Sequence, residues 1–126
     1  MDTITLDIPR AWWWTANDRL HWAQRAQRTR WVRQMAAHAA RGTRKHSRAD
    51  INAYVAYPRQ NRADPSNVAA TVLKAAIDGL VDAGVLPDDD SEHLPALTIR
   101  RDPPTGRAGV YRVRLVLTRP DQEATP

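Results

Sequence analysis

Asp64, Lys74 and the run Asp88-Asp89-Asp90-Ser91-Glu92 are the residues whose types and spacing suit chemistry. Like charges a few ångström apart raise one another's pKa and destabilise a fold, so crowded carboxylates call for a compensating partner. A hard cation is one such partner. Three consecutive Asp on a short loop, together with Asp64 at the end of another, make an oxygen-donor set suited to Mg²⁺, which takes one or two carboxylates plus waters and phosphate oxygens. A cation so held orients an attacking water and stabilises the leaving oxygen of a phosphodiester. Lys74 beside it would contact phosphate or developing transition-state charge. Each feature also has a structural reading. Asp64 before Pro65 suits a helix N-cap with Pro in the first turn. The acidic run suits a solvated loop, and Lys74 with Asp78 an ordinary surface pair. His21, His38, His46 and His93 lack metal-ligand spacing and receive no catalytic role.

The elements that must position these residues follow from periodicity. Ile4, Leu6 and Ile8 alternate with Thr5 and Asp7 in a half-buried strand ended by Pro9. From Asn17 to Arg41 there is no Pro or Gly. Leu20, Ala23, Trp31, Met35 and Ala39 fall near helical spacing there, which predicts a long helix with a basic flank, ended at Gly42. Ile51, Ala53, Val55 and Tyr57 form a second strand up to Pro58. A helix follows Asp64-Pro65 to about Asp82, with Val72, Leu73, Ala76, Ile77 and Leu80 as its apolar face and Gly84 beyond its end. Asn67, Thr71, Lys74 and Asp78 share its polar face. Leu97 and Ile99 begin a third strand, and Tyr111, Val113, Leu115 and Leu117 mark a fourth. The expected architecture is one α+β domain, β-α-β-α-β-β, with two helices packed on one face of a small mixed or antiparallel sheet over residues 1–118. Residues 119–126 are expected to be a disordered tail.

The composition narrows the partners. The chain of 126 residues has a net charge of +5, and all but Lys45 and Lys74 of its 19 basic residues are Arg, whose planar fork pairs bidentately with phosphate. Residues 1–62 carry 12 basic against 4 acidic residues, and residues 63–126 carry 7 against 10. This asymmetry points to a polyanionic partner for the amino half and a separate role for the carboxyl half. Arg25, Arg28, Arg30, Arg33, Arg44 and Lys45 are the candidate phosphate contacts, which position a duplex without reading its sequence; a solvated helix face is the alternative. Among five tryptophans, Trp31 is expected in the core. Trp12-Trp13-Trp14 cannot all point inwards, so at least one is available for a dimer interface or for stacking on an exposed base, with packing onto the helix as the alternative. With no cysteine, thiolate metal sites and Cys nucleophiles are excluded. No apolar run approaches the ~18 residues of a membrane span, and Met-Asp-Thr-Ile does not resemble a signal peptide, so a cytoplasmic protein without a membrane partner is expected.

Asp64-Pro-Ser-Asn67, the helix from Lys74 through Asp78 to Gly84, and Asp88-Asp89 together resemble the signature of the RusA family of phage-type Holliday junction resolvases. Ile4-Thr5-Leu6 with Pro9, Asn17 and Arg19 is similar to that family's opening strand and Asn-containing loop, and the basic closing strand is similar too. The resemblance implies a homodimeric, Mg²⁺-dependent endodeoxyribonuclease, with Mn²⁺ able to substitute. It further implies paired nicks in four-way DNA junctions, no nucleotide cofactor, and a bacterial cytoplasmic setting with a phage or prophage gene. By position it makes Asp64, Lys74 and Asp89 catalytic, and Asp64, Asp88 and Asp89 metal ligands. It adds Asn17, Arg19 and Asn67 to the DNA contacts Arg25, Arg28, Arg33, Arg44 and Lys45.

Two departures bear on this. Ser66 stands where the family's second catalytic Asp is expected, and Lys74 lies four residues farther from Asn67 than the family pattern, roughly 6 Å along a helix. Either Asp78, Asp88 or Asp90 is then the substitute ligand, or the site is weakened. Two other functions stay open: a non-catalytic branched-DNA-binding protein on the same fold, and a structure-specific nuclease for forks, flaps or RNA, because an acidic site does not encode branch geometry.

Overall fold

Alternation makes Asp2–Pro9 the first strand, β1, with Ile4, Leu6 and Ile8 buried and the residues between them turned outwards. The computed structural model describes residues 1–120. After a short 3₁₀ turn at Arg10–Trp12, helix α1 spans Trp22–Ala39, strand β2 Asp50–Ala56, helix α2 Lys74–Asp82, strand β3 Leu97–Arg101 and strand β4 Val110–Thr118. This is the expected β-α-β-α-β-β order. The sheet order is β1-β4-β2-β3, with β4 antiparallel to both β1 and β2 and β3 parallel to β2, so the sheet is mixed. Of the expected tail, Arg119 and Pro120 are described and residues 121–126 lie outside the described residues. No helix among the described residues is long and apolar enough to cross a membrane.

One sheet face carries the core. Ile4, Leu6 and Ile8 meet Val113, Leu115 and Leu117 of β4 and Ile51, Ala53 and Val55 of β2 under the two helices. The opposite face is held by charge. Arg112 reaches Asp7 at 2.6 Å across the β1–β4 pair, and Arg114 pairs with Asp102 while lying 4.1 Å over the ring of Tyr54.

The first helix departs from its expected bounds and face. It starts at Trp22 because His21 caps it, its Nδ1 accepting the Ala23 N–H. Residues 15–18 instead form a turn in which the Asp18 carboxylate accepts the Thr15 N–H. The buried residues of α1 are Val32 and Ala36, with Ala40 beyond its end, whereas Met35 is exposed and Trp31 half-buried. The close crossing with α2 explains the shift. A Cβ on Gly79 would lie 2.4 Å from the Arg33 carbonyl oxygen and 2.6 Å from Ala36 Cβ, so only small residues fit that seam. Arg33 and Asp82 close the crossing with a bidentate pair, 2.6 and 2.8 Å.

Candidate functional site

The segment bearing Asp64 and Lys74 begins with a cap. The Asp64 carboxylate accepts the Ser66 N–H at 2.9 Å, Pro65 occupies the first turn, and a 3₁₀ turn runs over Pro65–Val68. A π-helical turn at Ala69–Leu73 then precedes α2. Such turns accommodate an extra residue in a helix and recur at functional sites. This one sets the facing of Lys74 relative to Asn67, which uniform helical spacing does not describe.

Lys74 Nζ lies 2.8 Å from Asp78 Oδ1 and 2.5 Å from Asp89 Oδ2. One ammonium therefore bridges a carboxylate on its own helix and one from the acidic loop. The hydrogen bonds to Asp78 and then Asp89 raise the Lys74 pKa, and the Lys74 bond is the main reason the Asp89 carboxyl is held below its ordinary range. The Asp64 carboxyl is also lowered, first by the Ser66 backbone N–H. All three groups are therefore charged at neutral pH. Asp88 turns one oxygen back to the Asp89 N–H at 2.7 Å, which shapes the loop carrying Asp89.

The loop ahead of Asp64 is fixed by a residue outside the predicted site. Arg101, at the end of β3, donates to the Ala63 carbonyl at 2.8 Å and to Asn61 Oδ1, and its guanidinium sits 4.7 Å over the Tyr57 ring. Because β3 is parallel to β2, the carboxyl ends of both strands lie together, and Arg101 straps the chain leaving β2. Only the parallel pairing brings it there. A second strap comes from the Trp segment: Ala16 N–H donates to the Asn67 carbonyl at 2.9 Å, and Thr71 Oγ1 donates to the Trp14 carbonyl at 3.0 Å. Asn17 is thereby carried beside the Asp64–Asn67 turn. Asn67 and Thr71 thus dock a loop as part of the stripe expected to be a polar face.

The expected DNA contacts separate into groups. Arg28 donates to the Trp13 carbonyl at 2.6 Å and lines a cleft with Asn67. Arg19 and Arg25 lie on the exposed surface near that loop and on α1. Arg33 is engaged by Asp82, so its guanidinium serves the helix crossing. Arg44 and Lys45 lie at the far end of β1, where Arg44 is 3.5 Å from Asp2 and both line a basic cleft with Arg119. They form a patch at the Asp2 end of the sheet, whereas Asp64 follows the opposite end of β2.

Two further arrangements stand out. Trp13 and Trp14 are both buried, and Trp12, in the 3₁₀ turn, stacks on Trp31 at 5.4 Å and 2°, so all three consecutive tryptophans pack within the chain and the one expected to be left over is not. The tryptophan left exposed is Trp22, at 69%. The second concerns metal donors. Among the described residues, the His, Asp and Glu donors that gather in a group of three within 4.8 Å are those of Asp90, Glu92 and His93; Asp64, Asp88 and Asp89 form no such group. His93, passed over on sequence spacing, stands 2.6 Å from Asp90 Oδ1, which also accepts the Glu92 and His93 N–H groups. The Asp-x-Glu-His order was the available signal, and a capped turn accounts for the geometry. No model of a known protein family matches the chain, and no curated protein matches it.

Proposed function

We propose that the protein is a Mg²⁺-dependent endodeoxyribonuclease that resolves four-way DNA junctions by paired nicks, acting as a homodimer. The observation that carries this reading is the Lys74 ammonium held between Asp78 and Asp89, on the helical segment that Asp64 starts. A lysine so placed is kept charged and aimed, as a contact to a phosphate or a leaving oxygen requires. The donor set fits a hard cation. Asp64, Asp88 and Asp89 each engage one carboxylate oxygen with Ser66 N–H, Asp89 N–H and Lys74, and each keeps another oxygen for a cation; their oxygens are not gathered within 4.8 Å, so Mg²⁺ would be held by one or two of them, with waters and phosphate oxygens completing its shell. When bound, the ion would lower the pKa of a water and neutralise phosphate charge.

The chain's own groups do the rest. Arg101 and Asn67 hold the turn bearing Asp64, Lys74 holds the acidic loop against α2 through Asp89, and Arg19, Arg25 and Arg28 receive phosphates along the strand. Asp78 is the substitute ligand that Lys74 already keeps beside Asp89. The spacing between Asp64 and the acidic loop supports a second reading. With no group of three carboxylates within 4.8 Å there and Ser66 at the place of the second Asp that the resemblance implies, the same surface suits a branched-DNA-binding protein that does not cut.

Cleavage of a labelled four-way junction, with linear duplex as control, separates the two. Wild type in Mg²⁺ should give symmetric nicks, and Asp89→Asn or chelator should abolish them. Tight binding that survives both treatments, without cuts from wild type, would establish the binder instead.

A further inference from the structure

Two clefts share a wall, and one of them reaches the turn that bears Asp64. One, of about 420 Å³, is lined by Trp13, Tyr57 and the residues flanking Asp64, among them Ala63 and Asn67. The other, of about 880 Å³, is lined by Arg59, Gln60 and the Gly106–Gly109 turn. Arg10, Asn61 and Tyr111 line both. Each volume falls in the range that holds a small ring-bearing ligand.

The walls are aromatic and ordered. Tyr111 lies 4.4 Å from Trp13 with their planes 13° apart, and Tyr57 packs edge-on to Trp13 at 6.1 Å. Tyr57 is 3% exposed, yet its hydroxyl has no hydrogen-bond partner among the described residues. Fully enclosed side-chain atoms without a partner are Asp50 Oδ1 and Thr118 Oγ1, so the Tyr57 hydroxyl, which is outside that pair, opens on the cleft that Tyr57 lines. A hydroxyl at the cleft surface with no protein partner is free to hydrogen-bond with a ligand that enters. Asn61 adds a second oriented group. Its Oδ1 accepts the Ala63 N–H and Arg101, which leaves its amide N–H₂ as a donor at the boundary of the two clefts.

We propose that this double cleft receives an unstacked nucleobase from the DNA strand whose phosphate lies at Asp64. The base stacks on Tyr111, its edge meets the Asn61 amide and the Tyr57 hydroxyl, and Arg10 and Arg59 take the flanking phosphates. Flat aromatic walls, paired hydrogen-bonding groups and arginines on one rim match a nucleotide better than an apolar peptide side chain. The assignment rests on the nuclease reading above and names the part of the strand that reading leaves undescribed: a base out of the stack next to the cut.

The test uses full-length protein in chelator and a set of four-way junctions in which each crossover nucleotide in turn is made abasic, with binding followed by anisotropy. Loss of one base should weaken wild-type binding about tenfold to a hundredfold at one position and little elsewhere. Tyr111→Ala should bind the intact junction as weakly as wild type binds that abasic one and should ignore the abasic site. Tyr111→Phe should keep the discrimination, and Tyr57→Phe should reduce it without removing it. Wild type that binds junctions in chelator with no abasic-sensitive position, and cuts them when Mg²⁺ is restored, overturns the base cleft and leaves the nuclease standing. Wild type that binds no junction overturns both. Thymidine monophosphate competing as strongly as the strand would make the cleft a mononucleotide site and overturn the proposal.

Discussion

Replacing Gly79 by Ala tests whether the α1–α2 crossing sets the fold as argued. Two effects of opposite sign compete. Alanine in a helix interior is favoured over glycine by about 1 kcal/mol, so an open site would gain stability. Here the new Cβ would meet the Arg33 carbonyl oxygen at 2.4 Å, Ala36 Cβ at 2.6 Å and the Ala37 nitrogen at 3.0 Å. None of these is the end of a flexible side chain, so relief requires the helices to part by about 1 Å, which also strains the Arg33–Asp82 pair. Overpacking of this kind costs about 1–3 kcal/mol, and rigid backbone contacts place it near the upper end. The net expectation is a loss of about 2 kcal/mol, or a melting temperature lower by about 8 °C for a chain of this size. Thermal and urea unfolding by circular dichroism read it directly. Ala36→Gly in the same background should restore little, because it clears one of the three contacts, leaves the Arg33 oxygen and itself costs about 1 kcal/mol in a helix interior. A Gly79→Ala protein as stable as wild type, or more stable, would refute the close crossing and with it the reason given for the small residues on α1.

Other outcomes follow from the same geometry. Lys74→Met should cut junction cleavage in Mg²⁺ about a hundredfold to a thousandfold, while divalent-ion binding, read by calorimetry, should tighten because the competing ammonium is gone from Asp89; unchanged cleavage would remove Lys74 from the chemistry. Arg101→Met should leave the core intact but speed proteolysis of the 57–64 loop and lower activity with it, and equal proteolysis of both proteins would deny it the strap. Asp2, Asp82 and Asp89 have carboxyls below their ordinary range, held mainly by His46, Arg33 and Lys74 respectively. Depressed carboxylates contribute stability that is present above the unfolded pKa, near 4, and lost as pH falls through the lower folded values. Unfolding midpoints should therefore fall below about pH 4, and Asp82→Asn should flatten that limb; an identical acid limb in the variant would show that the Arg33–Asp82 pair contributes nothing measurable.

Elements whose signals are local could be read from residue order alone. Period-two alternation gave β1, β2 and β4, because each buries one face against helices, and Asp64-Pro65 announced the start of the segment that ends at Asp82 because capping is a contact within a few residues. The mixture of 3₁₀, π and α geometry inside that segment was hidden, since residue identity does not distinguish them. Tertiary structure alone decided the rest. The face of α1 is chosen by what fits against Gly79, a residue some 40 positions away in sequence, so Val32 and Ala36 are buried while Met35 is not. The meeting of Lys74 with Asp89 depends on the turn after α2 folding back along it, and the strap from Arg101 depends on β3 lying parallel to β2. The cleft of Trp13, Tyr57 and Tyr111 joins three segments whose neighbours in sequence say nothing of one another. Long-range pairing places these groups, and side-chain type along the chain records only what each brings to the meeting.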